Sequence, residues 1–94
     1  MATIGIFDSG VGGLTVQKAI LDRLPTLDTV YLGDTARVPY GTRSGEVVTR
    51  YALLSARHLV THGIKLLVVA CNTVSAHSLH ALAEALPIPV IGVI

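Results

Sequence analysis

The sequence predicts an α/β fold in which a parallel β-sheet is flanked by helices. Four short apolar stretches, enriched in β-branched residues, alternate with three longer segments of helical character. This βαβαβαβ order is typical of parallel strands joined by right-handed helical crossovers. The composition agrees, because hydrophobic residues make up 51% of the chain and aromatic residues only 4%. A core of Val, Leu and Ala suits strands that are buried on both faces.

Each element has its own local pattern. The apolar runs predict strands at residues 3–7, 29–32, 66–70 and 89–94. Helices are expected at about 14–24, 44–62 and 72–86, ended by Pro25, Gly63 and Pro87. Asn72, Thr73 and Ser75 are suited to cap the third helix. In the second helix, the side chains spaced to face the sheet are Val48, Ala52, Ala56, Leu59 and Gly63. In the first helix, the apolar residues keep the helical period only loosely, and they are Leu14, Ala19, Ile20 and Leu24. In the third helix, the apolar residues on one side are Ala76, Leu79, Ala83 and Leu86.

Composition also narrows the class of function. Seven Lys and Arg against six Asp and Glu leave no basic patch for nucleic acid. A single cysteine excludes an internal disulfide and fits a reducing compartment. We find no signal peptide and no apolar run of membrane-spanning length, so we expect a cytoplasmic protein without a membrane partner. The chain ends inside a predicted buried strand, and we therefore expect residues 1–94 to be a truncated N-terminal domain.

Three reactive side chains follow three different strands. Asp8, Asp34 and Cys71 each stand where a predicted strand ends. In open parallel sheets, ligands bind outside the carboxyl ends of the strands. We therefore expect all three side chains to project into one crevice.

Cys71 is the most informative of the three. It separates a buried strand from a helix, where backbone N–H groups and the helix dipole favour a thiolate over a thiol. The alternative is that Cys71 is a small buried hydrophobe, as free cysteines often are.

Two loops border the expected crevice. The glycine-rich turn 7–13 could hold an anion with its amides or could be only a tight strand-to-helix turn. It lacks the third glycine of a dinucleotide-binding loop, because Thr15 stands there, and it lacks the lysine of a phosphate-binding loop. The loop 33–41 is long enough to cover a ligand, although Asp34 and Arg37 could simply pair with each other.

The sequence gives little indication of a metal site or of a pyridoxal cofactor. The histidine pairs His58 with His62 and His77 with His80 have spacings that could place them on one helix face. The glutamate of a metalloprotease helix is replaced by Leu59, so solvated histidines are the simpler interpretation. Neither Lys18 nor Lys65 is placed for a pyridoxal Schiff base. We expect no metal and no cofactor.

Together the three segments resemble the cofactor-independent aspartate/glutamate racemase family, and within it the glutamate racemases. The resemblance covers essentially the whole chain and is specific, because three long motifs occur in order. They are Ile6 to Thr15 (IFDSGVGGLT), Tyr31 to Gly41 (YLGDTARVPYG) and Val69 to Thr73 (VACNT), with further matches through 89–94.

The resemblance implies roles for individual residues. It implies a flavodoxin-like half of the racemase fold and glutamate as the small-molecule substrate, and it leaves a homodimer open. Cys71 would be one of two catalytic cysteines, with Asp34 assisting proton transfer. The residues implied to hold the substrate are Asp8 (also a catalytic candidate), Ser9, Pro39, Tyr40, Gly41, Asn72 and Thr73.

Racemisation explains the need for a thiolate. A proton leaves Cα on one face and another returns on the opposite face, so a base and an acid are required. The resemblance puts the partner cysteine and a histidine in a second domain, so we expect this segment alone to racemise little or nothing. The alternatives are an aspartate racemase, a cysteine hydrolase or decarboxylase-type relative of the same fold, or a non-catalytic binding module.

Overall fold

The computed structural model describes residues 3–37 and 39–93 and shows a four-stranded parallel sheet. The strands are β1 (Thr3–Asp8), β2 (Asp28–Gly33), β3 (Leu66–Val69) and β4 (Val90–Gly92). Their order across the sheet is β2-β1-β3-β4, with each neighbouring pair parallel. The α/β class and the element order predicted from the sequence are therefore confirmed, and β1 and β3 lie at the centre.

Three helices connect the strands: α1 (Gly13–Arg23), α2 (Gly45–Val60) and α3 (Asn72–Ala85). A short 3-10 turn, Thr35–Arg37, follows β2. Ser44 is the N-cap of helix α2, and its side chain accepts a hydrogen bond from the Val47 amide. The chain leaves this helix through Gly63, which has a φ of 78° that suits glycine. No helix within the described ranges is long and apolar enough to cross a membrane.

The two faces of the sheet carry separate apolar clusters. One cluster joins Phe7, Leu67 and Val69 to α2 and α3. The other joins Ile4, Ile6 and Val68 to the side chains of α1. Consecutive residues of β1 and β3 therefore face opposite helical layers, as the alternation of side chains along a strand requires.

The predicted sheet-facing side of α2 is confirmed at four of its five positions. The buried residues there are Val48, Ala52, Ala56 and Leu59, whereas Gly63 is exposed beyond the end of the helix.

The buried sides of α1 and α3 agree only in part with the apolar positions noted in the sequence. Helix α3 buries Val74, Ser78 and Leu82. Of the four apolar positions noted, Leu79 and Leu86 pack in the core, whereas Ala76 and Ala83 are exposed. The buried side of α3 was not recognised in the sequence because it includes the polar Ser78. In the structure, the Ser78 hydroxyl is hydrogen-bonded to the Thr49 hydroxyl of α2 at 2.6 Å. On α1, the sheet contacts come from Val16 and Ile20, and the other apolar positions noted, Leu14, Ala19 and Leu24, are exposed.

Strand β4 was expected to be buried and is instead a partly open edge. Val90 packs against the α2–α3 cluster, but Ile91 and Val93 are each more than two-fifths exposed. The position of Ile94, included in the predicted strand, lies outside the described residues.

The ends of β1 and β2 approach so closely that one position must be glycine. A Cβ placed on Gly33 would lie 2.3 Å from the backbone oxygen of Gly10. The Gly10 oxygen is a backbone atom and a Cβ has no rotamer of its own, so a rotamer change cannot relieve the contact.

We therefore expect Gly33→Ala to lower the free energy of unfolding by about 1–3 kcal/mol, the usual range for overpacking. Urea denaturation of the two proteins measures this difference. The matched control is Gly10→Ala, where a Cβ meets no atom within 4 Å, and its change should stay within about 0.5 kcal/mol. Equal stability of both variants would contradict the close approach.

Candidate active site

The site is built where the carboxyl ends of β1, β2 and β3 meet. Asp8 is the last residue of β1, Asp34 follows β2, and Cys71 comes two residues after β3. The backbone amide of Asp34 donates to the Asp8 carbonyl at 2.9 Å. Chain connectivity in a parallel sheet thus brings the three predicted residues to one edge.

Cys71 is the N-cap residue of α3 and has extended backbone angles. Asn72, Thr73 and Ser75, which were predicted to cap this helix, instead lie within its first four residues, and the N-cap Cys71 makes no side-chain capping hydrogen bond. The Cys71 side chain is 6% exposed, and its Sγ donates to the Ser9 hydroxyl at 3.4 Å. The thiol therefore lies beside the free amides of a 14-residue helix and against the turn that follows β1.

Asp8 is engaged by its own turn. Its carboxylate accepts hydrogen bonds from the amides of Ser9 at 2.7 Å and Gly13 at 2.6 Å. The side chain is 7% exposed. The carboxylate shapes the glycine-rich turn and satisfies an amide at the start of α1, a use that the sequence did not predict.

Asp34 lies between a tyrosine and an arginine. The Tyr40 hydroxyl donates to Asp34 Oδ2, and Arg37 Nε lies 3.7 Å from the same oxygen. The predicted alternative of an Asp34–Arg37 pair is therefore present. It does not exclude a role in the site, because the Asp34 side chain is only 12% exposed and faces the buried Tyr40.

Tyr40 links this loop to the core. Tyr40 as a whole residue is 2% exposed, and its ring centroid lies 6.3 Å from that of Phe7 and 5.7 Å from that of Tyr51. Burial raises the pKa of Tyr40 above its ordinary value, and the hydrogen bond to Asp34 and the charges of Asp34 and Cys71 raise it further, while Arg37 opposes them. Tyr40 is therefore a neutral hydrogen-bond donor at physiological pH.

The remaining predicted residues border this cluster. A Cβ on Gly41 would lie 3.9 Å from the Thr73 hydroxyl, so these two residues are neighbours across the site. Pro39 and Asn72 are exposed next to Tyr40 and Cys71 in the chain. Val38, part of the same motif, lies outside the described residues.

The sequence reasoning missed two groups near the site. Tyr31 donates its hydroxyl to the Gly10 carbonyl at 2.9 Å, and its place in an apolar strand gave no indication of this. The guanidinium groups of Arg37 and Arg43 lie 4.8 and 5.2 Å from the Tyr51 ring centroid. Both arginines thereby hold the loop after β2 against α2.

The histidines lie elsewhere. The rings of His58 and His62 are 4.9 Å apart at the exposed end of α2, and His80 contacts Glu84 at 2.7 Å. No group of three or more metal-ligating side chains comes together within residues 3–37 and 39–93. An open groove of about 470 Å³ lies between α3 and β4, and Asp8, Asp34 and Cys71 are not part of its lining.

The fold and the site define an α/β protein with one free thiol at the carboxyl edge of a parallel sheet. Comparison with known proteins gives the particular relatives. The chain is 68% identical to glutamate racemase from Geobacter metallireducens over 91 residues. This match covers 97% of this chain and 34% of the relative. No family model matches the chain.

Solved structures agree. Glutamate racemase from Aquifex pyrophilus superposes with a TM-score of 0.94 at 57% identity, over 96% of this chain and 36% of that one. The Francisella tularensis enzyme in complex with D-glutamate gives a TM-score of 0.91 at 43% identity, over 97% and 35%. The resemblance to glutamate racemases is confirmed, and the chain spans about a third of the length of these relatives.

The raised Tyr40 pKa predicts how stability changes in alkaline solution. In the unfolded chain tyrosine ionises near pH 10, whereas Tyr40 in the folded chain keeps its proton to higher pH. The folded state then binds more protons, so this contribution to stability is present below pH 10 and is lost as the pH rises above it, by about 1.4 kcal/mol per pH unit.

We expect the Tyr40→Phe variant to show a shallower fall in the free energy of unfolding between about pH 10 and pH 11.5. Urea denaturation at each pH measures this fall. Tyr51→Phe is the matched control and should retain the steep fall of the unmodified chain. Parallel curves for the chain and Tyr40→Phe would show that Tyr40 does not hold its proton in this way.

Proposed function

We propose that this chain supplies one half of a glutamate racemase active site, with Cys71 as the base that acts on D-glutamate. The observation that carries the proposal is the position of Cys71, nearly buried at the start of α3 and in contact with Ser9. The Francisella relative, 43% identical, has been solved with D-glutamate bound, which supports the substrate class.

The proposed step is a proton transfer. The Cys71 thiolate takes the Cα proton of D-glutamate and becomes a thiol, and the electron pair left on Cα delocalises toward the substrate carboxylate. Hydrogen-bond donors aimed at that carboxylate stabilise the developing charge. The proposed donors are Ser9, which contacts Cys71, and Thr73 and the amides at the start of α3, which follow Cys71 in the chain, while Asn72 is exposed.

The loop after β2 encloses the substrate in this proposal. Pro39, Tyr40 and Gly41 bring the loop to Thr73, as the closeness of Gly41 to Thr73 supports. Asp34 assists proton transfer at Cys71 and is held for that task by Tyr40 and Arg37. Asp8 contributes by ordering the turn that carries Ser9 and by offering its remaining lone pairs to the substrate ammonium.

The proposal extends to the whole protein. The second acid–base group, a cysteine assisted by a histidine, comes from a second domain, so that residues 1–94 form the N-terminal domain. No cofactor takes part, and the product D-glutamate is used for peptidoglycan in the cytoplasm. A homodimer is compatible with this arrangement.

A chimera tests the proposal directly. The matched residues of the Geobacter racemase are replaced by the corresponding segment of this chain, and racemisation is followed from both enantiomers by circular dichroism. We expect turnover within about tenfold of the parent. Cys71→Ser in the chimera should lower it by about 10²–10⁴-fold, the usual contribution of a positioned acid or base.

The control is Ser55→Ala in the same chimera, a buried change on α2 outside the candidate site, which should retain activity. A folded chimera without turnover, or one in which Cys71→Ser remains fully active, would contradict the proposal. The isolated 94-residue chain should invert neither enantiomer.

A further inference from the structure

Tyr31 lies against three glycines where the ends of β1 and β2 meet. Its hydroxyl donates to the Gly10 carbonyl at 2.9 Å. A Cβ on Gly13 would lie 3.0 Å from Tyr31 Cε2, and a Cβ on Gly33 would lie 3.2 Å from Tyr31 Cε1. The aromatic ring therefore fills the space that these two glycines leave open.

The hydrogen bond fixes a peptide group of the turn that carries Ser9. Because the peptide unit is planar and trans, holding the Gly10 oxygen toward Tyr31 turns the Val11 amide hydrogen the opposite way. Without this hydrogen bond, the glycines of the turn would allow the peptide group several orientations. Burial and then the negative charge of Asp8 raise the pKa of Tyr31, so its hydroxyl remains a donor.

Ser9 connects this turn to the thiol. Its amide donates to Asp8 Oδ1 and its hydroxyl accepts from Cys71 Sγ. A displacement of Gly10 therefore reaches Cys71 through Ser9, one residue away in the chain. We propose that Tyr31 is a positioning residue, which acts through Gly10 to hold the Ser9 turn over the Cys71 thiol. Its value for catalysis rests on the proposed function.

The test uses the 94-residue chain and its single cysteine. Alkylation of Cys71 by iodoacetamide is followed by mass spectrometry in the chain, in Tyr31→Phe and in the matched control Tyr51→Phe. Tyr31→Phe keeps the ring between the two glycines and removes only the hydroxyl. We expect it to raise the alkylation rate about three- to tenfold, the effect of losing one hydrogen bond, and Tyr51→Phe to change it less than twofold.

Low concentrations of urea separate positioning from general destabilisation. If the turn alone moves, the faster alkylation of Tyr31→Phe is independent of urea, whereas reaction through global unfolding accelerates steeply with it. The Gly10 carbonyl ¹³C resonance should shift in the same variant. An unchanged alkylation rate, or an increase that follows urea, would overturn the proposal.

D-Glutamate then distinguishes the two proposals. Protection of Cys71 from iodoacetamide by D-glutamate in the unmodified chain, weakened about three- to tenfold in Tyr31→Phe, supports both. Faster, urea-independent alkylation of the variant without any protection by D-glutamate supports the positioning role, and the chimera then tests the substrate separately because a second domain completes the proposed site. Protection that is equal in the two proteins overturns the positioning role and leaves the proposed function standing.

Discussion

The two hydrogen bonds accepted by the Asp8 carboxylate are the constraint around which the candidate site is arranged. They join the end of β1 to the Ser9 amide and to the first residue of α1, Gly13. A nearly buried carboxylate needs such donors, and bonds to a charged acceptor are stronger than those between neutral groups. The Asp8 carbonyl, in turn, accepts from the Asp34 amide at the end of β2. One residue therefore holds two strand ends and a helix start together.

Close packing of backbone follows from that joint. Gly33 allows the end of β2 to approach the Gly10 carbonyl, and Gly13 allows α1 to begin against Asp8 and Tyr31. The Ser9 hydroxyl then lies 3.4 Å from Cys71 Sγ. Contacts of Tyr40 with Phe7 and Tyr51 hold the loop after β2 against the core. The thiol therefore contacts a turn that is joined to the end of β2 through Asp8 and Gly33.

Much of this arrangement could be predicted from the sequence, and the exceptions have a physical pattern. The strand ends were correct to within two residues, because apolar runs bounded by Gly, Asp and Pro specify both ends locally. The meeting of Asp8, Asp34 and Cys71 followed from the rule for parallel sheets. Two side-chain hydrogen bonds between distant residues were not predicted. Ser78 is buried because its hydroxyl bonds that of Thr49. Tyr31 donates to the Gly10 carbonyl, although the apolar pattern of its strand indicated only a packing role. Both depend on partners more than 20 residues away.

The geometry also limits what the chain can do alone. A base that approaches Cα from one face can remove a proton and return it to that face, which exchanges the hydrogen and retains the configuration. Inversion needs a second acid on the opposite face, and Cys71 is the only thiol in the sequence. The relatives that this chain matches are about three times as long. Under the proposed function, this segment provides one thiol, the amides at the start of α3 and two loops on one face of the substrate, and the acid on the opposite face comes from the proposed second domain.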